Sequence, residues 1–377
     1  MSKPLLRLVQ VLAQMGVAAV LAMPSLASAQ LRVGMPSGFS GSVAAGVKEN
    51  AAGAQLYIDA VNARGGVNGQ KIDLIIVDDK FDPKVTVTVA RDLITHQKVL
   101  ALFLNRGTPH SEALLPLLAE HRVPLVAPST GAMLLHEPVN PWVFNVRATY
   151  QREAAKAIEH LATIGITRIA VLQTDDSFGA DSAAGALKGF NAVGQKPLFL
   201  EKFPRDKPEF TALAEQVAQS GAQAVMVIGS AGNTANAVKA IRAAGSRAQV
   251  VTLSNNASEG FIKLLGEHAR GVIVTQVFPN ERSAAFPLIK EAQDLAKKAG
   301  MDGVSPAMME GYAGAKVLVE GLRRAGPNPT PAGLRDALEG IRHFNMGGLT
   351  VNYGPDSHTG LDFADLSIID ASGRFRR

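Results

Sequence analysis

Two pairs of adjacent carboxylates, Asp78-Asp79 and Asp175-Asp176, and eight histidines are the residues of this chain most obviously able to do chemistry. Acid–base catalysis needs groups that face one substrate from different environments. Carboxylates adjacent in sequence at the ends of apolar runs more simply cap helices or face water. His96, His110, His121 and His136 show no HExxH or similar ligand spacing, so no metal site is indicated. The stretch "GFSGSVAAG" lacks both GxGxxG and a P-loop lysine, and no GxSxG elbow occurs. The chain has no cysteine, which removes disulfides, thiolate metal sites and a cysteine nucleophile together. The sequence therefore points away from an enzyme, and no catalytic residue, metal or cofactor is expected.

A second set of residues suits holding rather than reacting. The apolar runs end in "PSGFSGS", "NRGTP", "PSTGA", "TDDSFG", "GSAGN" and "SNNAS", nearly all Gly, Ser, Thr and Asn. These residues present hydroxyls and amides. In open parallel sheets ligands bind beyond the carboxyl ends of the strands, where helix N-termini offer unpaired N–H groups. In "NRGTP", Gly107 permits close backbone approach, Thr108 offers a hydroxyl and Pro109 suits the first turn of a helix.

The elements that must position these loops alternate regularly. "LRVGM" reads as a strand. "GAQLYIDAVNARGG" puts Ala54, Tyr57, Ile58 and Val61 on one helical face and stops at Gly65-Gly66. Asp82 and Pro83 fit the N-cap and first-turn positions of a helix running to Ile94. "KIDLIIV" reads as a strand, and "VLALFL" and "PLVAP" after it are too apolar for exposed edges and predict a parallel sheet covered on both faces. After Tyr150 the rhythm restarts with "RIAVLQ", "PLFLEKF", "AVMVIG", "QVVTLS" and "GVIVTQV", each separated by a helical stretch, which implies a second sheet. Helices at about 283–300 and 306–325, then "GGLTVNY" and "ADLSIID", return to complete the two lobes.

The chain opens with Lys3 and Arg7, an apolar run and "PSLASA", the pattern of a cleavable export signal over residues 1–29. Residue 30 is Gln, so no lipidated cysteine follows. The net charge is +5, or +3 once Lys3 and Arg7 are gone, there being no acid before residue 30. Lys and Arg are scattered rather than clustered, so nucleic acid is not an expected partner.

From "GAQLYIDAVNARGGVNGQKIDLIIVDDKFDP" through "GTPHSEALLPLLAEHRVPLVAPSTGA", "VFNVRATY", "DDSFG" and "AIRAAG" to "MEGYAGAKVLVEGLRRAG", the mature chain resembles periplasmic solute-binding proteins of the Leu/Ile/Val-binding type, which serve branched-chain amino acid ABC transporters. The resemblance implies an α/β fold of two doubly wound parallel-sheet lobes joined by three hinge crossovers, near 147–150, 276–280 and 346–352. Lobe I would comprise residues 30–147 plus 279–346, and lobe II residues 148–278 plus 347–377. It implies a periplasmic monomer that closes on a small carboxylate-bearing solute, a hydrophobic amino acid or an aliphatic or aromatic organic acid, and presents it to an ABC permease and ATPase. A ligand sensor that reports to a signalling receptor is the alternative.

Carried onto this sequence, the resemblance assigns the solute carboxylate to Gly107, Thr108, Ser129, Thr130 and Gly131. It assigns an aromatic wall to Phe178 and second-lobe contacts to Ser230, Gly232, Asn255 and Asn256. Phe39, Ser40, Glu310 and Tyr312 are weaker candidates, and Arg106 reads as a solvated rim residue. Three departures bear on the ligand. Gly131 stands where the amino-acid binders commonly carry Thr. Ser254 stands at about the position of their ammonium-pairing acid, with Glu259 the nearest acid. The disulfide of the leucine type would join loops that here carry Phe81 and Gly107.

Overall fold

The computed structural model describes residues 30–377, so the export signal expected over 1–29 lies outside the described residues. Five strands, β1 (Leu31–Ser37), β2 (Ile72–Asp78), β3 (Ala101–Phe103), β4 (Leu125–Val126) and β5 (Val143–Phe144), form a parallel sheet in the order β2-β1-β3-β4-β5. A second sheet contains β6 (Ile169–Thr174), β7 (Leu200–Phe203), β8 (Ala224–Ile228), β9 (Gln249–Thr252), β10 (Ile273–Gln276), β13 (Asp365–Ile369) and β14 (Phe375–Arg376). Its order is β14-β13-β10-β9-β8-β6-β7, parallel from β7 to β10 and antiparallel at β13 and β14. Between β10 and β13 in sequence, β11 (Phe344–Asn345) and β12 (Thr350–Val351) make a small two-stranded antiparallel sheet.

The near-continuous apolar strands are explained by helices on both faces. All six residues of β6 are buried; Ala170 and Leu172 enter one core while Ile169 and Val171 enter the other. In the first sheet, Ala101 and Phe103 face one core and Leu102 the opposite one. That alternation follows from the two-residue period of a strand.

Helices α1 (Ala44–Ala63), α2 (Pro83–Thr95) and α3 (Thr108–His121) belong to the first sheet, and α4 (Tyr150–Thr163), α5 (Ser177–Ala192), α6 (Thr211–Gln219), α7 (Ala231–Ala243) and α8 (Glu259–Leu265) to the second. Then α9 (Pro287–Lys298), α10 (Pro306–Arg324) and α11 (Pro331–Glu339) return to the first core through Leu288, Met309, Leu318 and Leu338. The α2 cap is as read: Asp82 Oδ1 accepts from the Lys84 amide at 2.7 Å, and Pro83 fills the first turn. No helix among the described residues is long and apolar enough to cross a membrane.

The chain passes between the cores after β5, where Val146 lies in the first and Tyr150 in the second lobe, and again after β10, where Phe278 rejoins the first. Val351, Tyr353 and Leu361 also pack in the first core, and Tyr353 Oη donates to the Asn145 carbonyl at 2.6 Å. We therefore place the third crossover between Leu361 and Asp365, beyond the 346–352 expected from the resemblance.

Candidate functional site

The loops after β3 and β4 carry left-handed, non-glycine residues at their first turn, Leu104 (φ 49°) and Ala127 (φ 51°). Such backbone costs on the order of 1 kcal/mol per residue. It swings residues 105–107 and 128–130 side by side, joined by a parallel bridge between Arg106 and Ser129 and by the Ser129 amide donating to the Asn105 carbonyl at 2.8 Å. Buried Asn105 pins the pair: its Nδ2 donates to the Pro36 carbonyl and its Oδ1 accepts from Ser111 Oγ, both at 2.8 Å. Helix α3 starts at Thr108, five residues before its apolar run begins at Ala113, because Gly107 at φ 102° turns the chain into it.

These loops form one wall of a cleft between the lobes, whose space, counted together with its open mouth, is about 400 Å³. Its first-lobe wall holds Val43, Phe81, Arg106, Gly107, Thr108 and Ser129. Facing them are Tyr150, Thr174 and Phe178, then Arg205, Ser230, Asn233 and Asn255. Phe178 packs edge-on to Tyr150 at 4.9 Å, and Phe81 stacks on His110 at 4.3 Å. Three aromatic rings therefore flank the space.

Two guanidinium groups reach it, in different electrostatic states. Arg205 is ion-paired with Asp176 at 2.5 Å and lies over the Phe81 ring, 5.1 Å from its centre. Arg106 is only 5% exposed and donates through Nη2 to the Asn255 carbonyl across the cleft at 2.5 Å, with no carboxylate partner among the described residues. Among the described residues no carboxylate lines the cavity. Thr108 Oγ1 and Thr130 Oγ1 share a hydrogen bond at 2.7 Å, so when Thr130 donates, the Thr108 proton is directed elsewhere. With its amide donating to the carbonyls of Gly46 (2.9 Å) and Ala307 (3.2 Å), Asn50 accepts from Ser129 Oγ at 3.0 Å. Ser129 then offers the cavity lone pairs rather than a proton.

Behind this wall, Ser254 is committed to a buried ion pair. Its Oγ accepts from Arg147 Nη2 at 2.8 Å, and its amide donates to Glu153 Oε2 at 3.0 Å. Arg147 pairs with Glu153, which also accepts from Thr275, and lies over the Tyr150 ring at 4.4 Å. Burial alone would lower the Arg147 pKa, but the negative charges of Glu153 and Glu310 raise it, keeping the guanidinium charged. Glu310 is 4.0 Å from Arg147 and lines no part of the cavity. Glu259 lies elsewhere, with its amide donating to Glu49.

Of the residues read from sequence, Gly107, Thr108, Ser129, Phe178, Ser230 and Asn255 meet around the cavity. Thr130 and Gly131 stand behind them; a Cβ at Gly131 would lie 2.6 Å from the Ala148 carbonyl oxygen. Asn256 is turned inward, donating to Thr252 Oγ1 at 2.9 Å, and Tyr312 packs edge-on to Tyr57 in the first core. Phe39 and exposed Ser40 lie outside, their amides donating to Asp78 Oδ1 at 2.9 and 3.3 Å. Gly232 faces Ser42 rather than the cavity, with 3.2 Å between an ideal Cβ and that of Ser42. Arg106, read as a solvated rim residue, is buried instead. Tyr150, Thr174, Arg205, Asn233, Phe81 and Val43 were not singled out as cavity residues, although Tyr150 ends the quoted "VFNVRATY". Arg205 and Phe81 meet only because two loops 124 positions apart in sequence converge.

The carboxylate pairs have positional tasks. Asp79 Oδ1 accepts from the Phe81 amide at 2.9 Å, and its Oδ2 from Thr86 at 2.8 Å. Asp176 caps α5 through the Gly179 amide at 2.9 Å and holds Arg205, while Asp175 pairs with Lys202 at 2.8 Å. No group of three or more metal-ligating side chains is assembled among the described residues.

The chain belongs to the periplasmic binding protein family, whose model matches residues 30–364. It is similar to a substrate-binding periplasmic protein of Ralstonia solanacearum, at 33% identity and TM-score 0.85 over 92% of this chain and 99% of that one. The Leu/Ile/Val-binding protein homolog 2 of Brucella abortus is 25% identical over 319 residues, 82% of each chain. A fatty acid ABC transporter substrate-binding protein of Thermomonospora curvata shares the fold, at TM-score 0.82 and 18% identity over 93% of this chain and 91% of that one. The type I periplasmic binding protein fold and the resemblance to Leu/Ile/Val-binding relatives thus stand.

Proposed function

We propose that this protein is the substrate-binding component of an ABC importer and that it takes a small organic acid lacking an α-ammonium group. The single observation that carries this reading is Arg106, a buried guanidinium in the cavity wall with no carboxylate partner. An uncompensated buried charge costs several kcal/mol, and a solute carboxylate beside it would remove that cost. Thr108 supplies a hydroxyl donor to the same anion. Phe81, Tyr150 and Phe178 take the apolar or aromatic body, and Ser230, Asn233 and Asn255 take polar atoms at the second lobe.

An α-ammonium would need a compensating acid, and Ser254 occupies the position where the resemblance puts one. Export to the periplasm on the signal at 1–29 and delivery to an ABC permease and ATPase complete the proposal. The amino-acid reading is kept as a second one because relatives are named for Leu, Ile and Val. A thermal-shift screen on ligand-stripped protein separates the two, pairing each branched or aromatic amino acid with its deaminated acid. At 100 times its dissociation constant a true ligand adds about 2.7 kcal/mol of stability. The expected result is stabilisation by the acids and little by the amino acids; the reverse overturns the proposal.

A further inference from the structure

The lobes meet a second time along α1, away from the cavity. Ala45 and Glu49, one helical turn apart, face the start of α8 in the other lobe. Glu49 accepts from the Gly260 amide at 2.8 Å and the Glu259 amide at 3.1 Å, while Ser305 Oγ of its own lobe donates to it at 2.6 Å. The two helices approach so closely that a Cβ at Gly260 would lie 2.2 Å from Ala45 Cβ. Neither Glu49, Ala45 nor Gly260 lines the cavity. Glu49 is half-buried, and its carboxyl pKa is pushed up by that burial against the hydrogen bonds it accepts. Two of those bonds come from the opposite lobe and exist only while the lobes are together.

We infer that Glu49 and Gly260 form a closure latch, an affinity-setting contact that touches no solute. Apparent affinity falls in proportion to the fraction of molecules able to adopt the binding-competent state. Weakening the latch should therefore raise the dissociation constant of every solute by one common factor and leave selectivity unchanged. The inference holds whichever solute the cavity takes. Gly260 is needed for space alone: its φ lies outside the left-handed region, so alanine suits its place in α8, where its methyl group would clash with Ala45 Cβ and touch Glu49 Oε1 at an ordinary 3.5 Å.

The test uses the absence of native cysteine and needs no ligand. A Ser42→Cys, Gly232→Cys pair places its Cβ atoms about 3.2 Å apart across the closed lobes, near disulfide separation. Its rate of oxidation by oxidised glutathione reports how often the solute-free lobes close. Glu49→Ala and Gly260→Ala should each slow cross-linking about tenfold, a change of about 1.4 kcal/mol in the closure equilibrium, while the reduced variants keep the parent melting temperature. Adding Ala45→Gly to Gly260→Ala should restore the rate, because the methyl group then has room. Parent-like rates in both single variants, or no rescue by Ala45→Gly, overturn the latch.

Discussion

Thr108 and Ser129 read alike in the sequence, yet their hydrogen bonds separate them. Thr108 can donate to a solute in the arrangement where Thr130 donates to it, whereas the Ser129 proton goes to Asn50. Thr108→Ala should weaken binding of the best acid from the screen by roughly ten- to a hundredfold, or about 1.5 to 3 kcal/mol for a hydrogen bond to a charged group. Ser129→Ala should cost less. Calorimetry showing equal losses would contradict this division. Arg106→Met should lower affinity more than either while improving stability of the solute-free protein, since it removes an unpaired buried charge. Denaturant melts of the solute-free variant check the second half.

At the scale of elements, α3 combines a demanding entry with a buried ring. Gly107 sits at φ 102°, and a Cβ there would lie 2.5 Å from His110 Nδ1. Gly107→Ala should therefore destabilise the fold by about 1 to 3 kcal/mol, read as a lower denaturation midpoint. His110 is fully buried, and burial lowers its pKa to about 4. An unfolded histidine titrates near 6.5. Between those values only the unfolded chain holds the proton, so this contribution is intact above about pH 6.5 and is lost as pH falls through about 4. His136 acts in the same sense, its pKa also lowered by burial to about 4. Asp79, raised by burial to about 6, opposes them, binding its proton sooner in the folded state. Replacing His110 with Phe, which keeps a ring against Phe81, should flatten the stability profile between pH 6.5 and 4 by close to one proton. An unchanged slope would count against a neutral buried ring.

For the whole molecule, two rigid lobes joined by three crossovers predict hinge closure about those segments. Small-angle scattering should show a smaller radius of gyration when a validated ligand is added. An unchanged radius would argue that the cleft stays in one arrangement. The lobes touch at several separate places, among them Arg106 with Asn255, Arg205 with Phe81, Ser42 with Gly232, and Glu49 with Gly260. Closure is therefore set by contacts from several loops rather than by the ligand alone.

Strand and helix alternation, the division into two sheets, the α2 cap at Asp82 and the polar strand ends were legible in the sequence, because each depends on residues within a few positions of one another. So were six residues of the cavity wall. The burial of Arg106, its pairing with an opposing carbonyl and the convergence of Phe81 with Arg205 depend on segments more than a hundred residues apart. So do the commitment of Ser254 to Arg147 and the late return of Val351, Tyr353 and Leu361 to the first core. Local periodicity carries no information about which loops face one another. That was decided only when the loops at the strand ends of the two lobes were brought face to face and buried polar groups had to find partners across the gap.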